Sequence, residues 1–154
     1  QHKVEYEAHS YDHKEGDPSD GVHVAHILNQ PVEKVYKTLV TQANTKEFLV
    51  YMLPVEKELD LKKCAKVAGV KSCEMIHVKD INKITGYIRG GCSPLGMKKQ
   101  FRTFMYEDAL NQDKIYFSAG KIGMQIEMDP KTLMDLIHVS SRRYHKGVTY
   151  YVGE

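Results

Sequence analysis

The chain has 154 residues, 42% hydrophobic and 27% charged, which suits one soluble globular domain large enough to bury a core without covalent staples. Its 22 basic and 20 acidic side chains leave a net charge of +2, which excludes a global polycation, so any nucleic-acid contact must come from a local patch. Three widely spaced cysteines (Cys64, Cys73, Cys92), with no CxxC pair, exclude a disulfide framework and a zinc knuckle and point to a reducing cytoplasm.

In chain order, KVEYEAHSY (3–11) alternates as a first strand and leads into a polar turn reaching Asp20. GVHVAHILN (21–29) sets Val24, Ile27 and Leu28 on one helical face, with Ser19 or Asp20 as cap. VYKTLVT (35–41) and EFLVYMLP (47–54) read as two strands about a polar turn, and the apolar run within the second is far too short to span a bilayer. In DLKKCAKVAG, Leu61, Cys64, Ala65 and Ala68 recur at helical spacing between a capping Asp60 and a terminating Gly69. CEMIHV (73–78) is a short strand, and VKDINKITG a short helix ending at Gly86.

Beyond a glycine-rich stretch, RTFMYE, KIYFSAG and GMQIEMD read as three strands, the last two joined by the SAGKIG turn. DPKTLMDLIH closes as a helix, with Asp129 as cap and Pro130 at its first position. The basic run SSRRYHKG that follows reads as a surface tail. Strands and helices mix without strict βαβ alternation. The expectation is an α+β fold, a mixed and partly antiparallel sheet or barrel with flanking helices, in a single domain over residues 1–154. No signal peptide is read, and Gln1 in place of Met points to a start downstream of the native one.

The stretch TGYIRGGCSPLGMKK (85–99) carries the strongest local signal. Gly91 and Gly96 have the separation of a phosphate loop, but Met97 stands where its lysine belongs and Lys98 where its Ser or Thr belongs. Adjacent Gly90 and Gly91 also break the dinucleotide pattern. Either the segment is an ordinary tight connection, or its glycines let the backbone pass close to something, with Ser93 and Pro94 fixing the turn. Cys92 reads as a small buried hydrophobe rather than a nucleophile, and neither Ser93 nor Ser118 sits in a GxSxG elbow. His23 and His26 lack a third ligand at sensible spacing, so no metal is expected. Lys37 lies in an apolar strand, where it either snorkels to water or faces a cleft. Lys98, Lys99 and Arg102, with Phe101 and Phe104 interleaved, fit either a solvated rim or the track of a single-stranded RNA end.

In order, VYKTLVT, LPVEKELDLKKCAKVAGVKSCEM, ITGYIRGGCSPLGMKK and IYFSAGKIGMQIEM closely resemble the YbaK-type Cys-tRNA(Pro) deacylases, free-standing relatives of the editing domain inserted in bacterial prolyl-tRNA synthetases. The resemblance covers roughly residues 9–137. It implies trans-editing hydrolysis of mischarged Cys-tRNA(Pro), in which the substrate's own thiol attacks its ester while the protein positions and polarises. Lys37, Gly90 and Gly91 would then be catalytic, with Tyr11, Thr38, Ser93, Pro94, Ser118 and Gln125 lining the substrate site. Lys98, Lys99 and Arg102 would contact tRNA phosphates. No cofactor or metal is implied, and the partners are the tRNA(Pro) acceptor end and, by the same resemblance, prolyl-tRNA synthetase, with no membrane or DNA role and a cytoplasmic location. Gln125 replaces an Asp, and Asp20 an aromatic residue, found in some relatives. Two alternatives stay open: a deacylase for another small ester such as Ala-tRNA(Pro), or a non-catalytic binder of tRNA ends or aminoacyl-adenosine.

Overall fold

The computed structural model describes residues 5–11, 21–88, 91–97, 101–140 and 148–151. Its elements run β1 (Glu7–Ser10), α1 (Gly21–Leu28), β2 (Tyr36–Ala43), β3 (Phe48–Pro54), α2 (Leu61–Ala68), β4 (Cys73–Met75), α3 (Ile81–Thr85), β5 (Arg102–Tyr106), β6 (Ile115–Ser118), β7 (Met124–Met128), α4 (Pro130–Ser140) and β8 (Val148–Tyr151). The strands form two sheets, β1-β7-β6 and β4-β2-β3-β5-β8. Within the larger sheet β3–β5 and β5–β8 are parallel and the other pairs antiparallel, so it is mixed as expected. An isolated parallel bridge, Val35 to Tyr116, links the sheets without closing them into a barrel.

Local chemistry accounts for the best-defined elements. Asp60 Oδ1 accepts from the amides of Lys62 and Lys63 at 3.1 and 3.2 Å and starts α2, while Gly69, at φ 74°, ends it. The buried face of α2, carrying Cys64, Ala65 and Ala68, lies on the larger sheet. There Tyr51 donates to the Cys64 carbonyl at 2.8 Å and stacks on Phe104 with ring centroids 5.1 Å apart. Asp129 accepts from the Lys131 amide at 2.8 Å at the head of α4, whose Leu133 and Ile137 are buried in the same core. Leu49, Tyr51, Leu53, Met105 and Phe117 are wholly buried in that core, each contributing about 1.5–3 kcal/mol by leaving water.

Three expectations change at their edges. The first strand is confined to Glu7–Ser10, and the strand from Cys73 stops at Met75, before a 3-10 turn over Val78–Asp80. The C-terminal segment holds β8, which pairs in parallel with β5, rather than only a tail; its basic run 141–147 lies outside the described residues. Among the described residues no helix is long and apolar enough to cross a membrane.

Candidate active site around the turn between β6 and β7

Lys37 is the second residue of β2. The isolated parallel bridge from Val35 to Tyr116 sets the entry to β2 against β6: Lys37 lies two residues beyond it on one chain, and Ser118, the last residue of β6, two residues beyond it on the other. Ser118 is paired across the small sheet with Gln125, and Gln125 in turn with His9. The bridge and the pairing of β6 with β7 thus bring the strand of Lys37 up to the one that pairs Ser118 with Gln125, although these residues span 37 to 125 in sequence. The Lys37 ammonium donates to the Val55 carbonyl at 3.3 Å, and no carboxylate among the described residues lies within ion-pair distance. Burial pulls its pKa below the usual lysine value, while the charge of Glu58 opposes the shift. The start of α1 rests on the same spot, since a Cβ on Gly21 would fall 2.0 Å from Val55 Cγ1.

The turn from Ser118 to Gly123 is the hub. Ser118 Oγ accepts from the Gly120 amide at 3.2 Å, and the Ala119 amide donates to the Met124 carbonyl at 3.1 Å. Tyr11 fastens the end of β1 to the turn by donating its amide to the Gly123 carbonyl at 2.9 Å. Tyr87 wedges between Gly120 and Gly96, where added Cβ atoms would sit 2.9 and 2.8 Å from its ring and hydroxyl, and that hydroxyl donates to the Leu95 carbonyl.

The glycine stretch reaches this hub for a different reason from the one expected. Gly91 lies outside the left-handed region; what it needs is space, since a Cβ there would lie 3.2 Å from Lys121 Cα and 3.4 Å from the Ile122 nitrogen. Its amide is already committed to the Ile88 carbonyl at 3.0 Å, so it brings the backbone close without offering a free donor. Ser93 is buried and its hydroxyl accepts from the Leu95 amide at 3.3 Å, holding the turn around buried Pro94. Gly90, Lys98, Lys99 and Asp20 lie outside the described residues.

Two proposed residues stand apart from this arrangement. Thr38 follows Lys37 in the strand, so its side chain points to the opposite face, where its buried hydroxyl has no partner among the described residues. Arg102 grips Glu47 with two bonds of 2.8 and 3.0 Å and reaches the Ala68 carbonyl at 3.1 Å, tying β5 to the β2–β3 turn and to α2. Cys92 packs among apolar side chains, and burial pushes its thiol up to about 11 against a hydrogen bond with Thr85, which suits a structural residue.

Sequence reading did not anticipate that Glu7, His9 and Glu127 come together. His9 Nε2 lies 2.9 Å from Glu127 Oε1 and 3.9 Å from Glu7 Oε2. The pairing of β1 with β7 makes this cluster, and no local spacing signals it. Two cavities lie elsewhere. One of about 790 Å³ opens at the far end of β2 between Phe48, Ile76, Lys83 and Phe101, and one of about 420 Å³ lies beside Glu7 and Lys114. Ser118 and Gln125 are instead 8% and 6% exposed, a tight setting suited to a small group.

Residues 20–136 match the family described as the aminoacyl-tRNA editing domain. A relative from Enterococcus faecalis (strain ATCC 700802 / V583), EbsC, whose name proposes a Cys-tRNA(Pro)/Cys-tRNA(Cys) deacylase, is 47% identical over 136 residues, covering 88% of this chain and 82% of its own. Among solved structures, the hypothetical protein APE2540 superposes with a TM-score of 0.82 over 97% of this chain and 92% of its own, at 18% identity. A protein proposed as a trans-editing enzyme for prolyl-tRNA synthetase superposes with a TM-score of 0.74 over 85% of this chain and 80% of its own, also at 18% identity. At such identities the superpositions establish the fold alone.

Proposed function

Because the chain belongs to the aminoacyl-tRNA editing domain family, we propose that it hydrolyses the ester of mischarged Cys-tRNA(Pro). The observation that carries this reading is a half-buried lysine, with no carboxylate within ion-pair distance among the described residues, two residues beyond the bridge that joins its strand to the one ending at Ser118, which pairs with Gln125. An ammonium in a low-dielectric setting attracts an RNA phosphate far more strongly than one in water. Lys37 thus anchors the terminal adenosine, and the cysteinyl group lies over the turn between β6 and β7. Gly91 and the turn around Ser93 and Pro94 set the close approach of the backbone, and Tyr11 closes the side next to β1. Lys98, Lys99 and the remaining donors of Arg102 are the proposed phosphate contacts further along the RNA.

Among the described residues no side chain is set up as a nucleophile: the half-buried Cys92 thiol is held protonated, and Ser118 has no base given to it by hydrogen bonding. The substrate's thiol fills that role. Its sulfur bonds to the ester carbonyl carbon, the bond from that carbon to the ribose oxygen breaks, and the thiol proton passes to the departing ribose oxygen. Water then opens the cyclic thioester to free cysteine. Replacing the cysteinyl thiol by a hydroxyl, as in Ser-tRNA(Pro), is expected to slow deacylation at least 100-fold under single-turnover conditions. Equal rates on the two esters would exclude thiol attack.

A further inference from the structure

Gln125 is 6% exposed, and its side-chain carbonyl oxygen is buried without a hydrogen-bond donor among the described residues. Buried acceptors are nearly always satisfied, so one left open beside a reaction site is waiting for a donor from elsewhere or is a plain cost to the fold. Its strand neighbours do not supply one. The Ser118 hydroxyl on one side, which accepts from the Gly120 amide, makes no bond to that oxygen, and His9 on the other turns to Glu127. A cysteinyl ester carries two donor groups near its carbonyl, a thiol that donates weakly and an α-amine that donates well.

We propose that the Gln125 carbonyl receives the substrate's α-amine, so that the site takes aminoacyl esters with a free amine and turns away those that lack it or carry it blocked. This rests on the editing reading above. A neutral amide accepts from an amine whether or not the amine is protonated, and, unlike a carboxylate, it does not draw off the nearby Lys37 ammonium. The position thus separates the two jobs of the site: Lys37 holds the phosphate and Gln125 orients the amino acid. Mispositioning the amine would swing the thiol away from its carbonyl, so the loss appears in kcat as well as in KM.

The test is a cycle of Gln125→Met against removal of the amine, using Cys-tRNA(Pro) and the 3-mercaptopropionyl ester of the same tRNA, which keeps the thiol without adding bulk. Wild-type protein is expected to prefer the cysteinyl ester by at least 10-fold in kcat/KM, and Gln125→Met by less than 2-fold. Because the variant removes an unsatisfied buried oxygen, its Tm should rise by about 2–4 °C while activity falls, a pairing that a structural glutamine would not produce. Equal discrimination by both proteins, or a Tm and both activities falling together, would overturn the proposal. If wild-type protein hydrolyses neither ester, the editing reading fails, and the same cycle is read from binding of the amide-linked 3′-cysteinyl and 3′-mercaptopropionyl adenosine analogues. A preference for the amine that vanishes in Gln125→Met would still uphold the contact; its persistence would reject it.

Discussion

At the scale of single residues, Lys37 is the side chain on whose charge the proposed reaction most depends. Burial lowers its pKa below 10.5 and Glu58 partly restores it. In the proposed reaction the active form is the ammonium, so deacylation measured above spontaneous hydrolysis should fall as pH rises through that lowered value, before 10.5 is reached. Glu58→Gln should move the fall to still lower pH, and Lys37→Arg, charged throughout, should abolish it. An alkaline limb unmoved by either change would mean that another group titrates. The stability effect has the opposite sign: between the lowered pKa and 10.5 the unfolded chain holds more protons, so stability rises with pH across that window. Cys92 is the contrasting case, a thiol that burial makes inert rather than reactive.

At the scale of elements, Arg102 joins three of them. Its side chain is 30% exposed and pairs bidentately with Glu47, so Arg102→Ala should cost about 1–2 kcal/mol, read as a drop in Tm of about 2–6 °C. If its outer nitrogen also meets a phosphate, the slope of log Kobs for tRNA against log salt should shrink by about 1. A lowered Tm with an unchanged slope would confine Arg102 to the fold. The elements readable in the sequence were those with local punctuation, as Asp60 and Gly69 frame α2 and as Asp129 and Pro130 open α4. β8 was not read, because its meaning lies in a parallel pairing with β5 across the intervening chain. The glycine loop was visible as a loop, but its reason, the contact of Gly91 with Lys121, belongs to tertiary structure. The neighbourhood of Lys37, Ser118 and Gln125 depends on one bridge between Val35 and Tyr116, which no periodicity encodes. Family resemblance named those residues; spacing alone could not have joined them.

At the scale of the whole molecule, two sheets meet along a seam, and the proposed site lies on it. The larger sheet is anchored by a wholly buried core under α2 and α4, so the seam can hold unsatisfied groups such as Gln125 without loss of the fold. With a net charge of only +2, the proposed attraction of RNA has to rest on local cations such as Lys37 rather than on the overall field. The most direct test is the deacylation rate of Cys-tRNA(Pro), with Ala-tRNA(Pro) and Pro-tRNA(Pro) alongside, for wild-type protein and Lys37→Ala. Selective hydrolysis of the cysteinyl ester, lost by at least 100-fold in the variant while its Tm is kept, is the predicted result. Binding of all three without turnover, or turnover that survives the loss of Lys37, would contradict it.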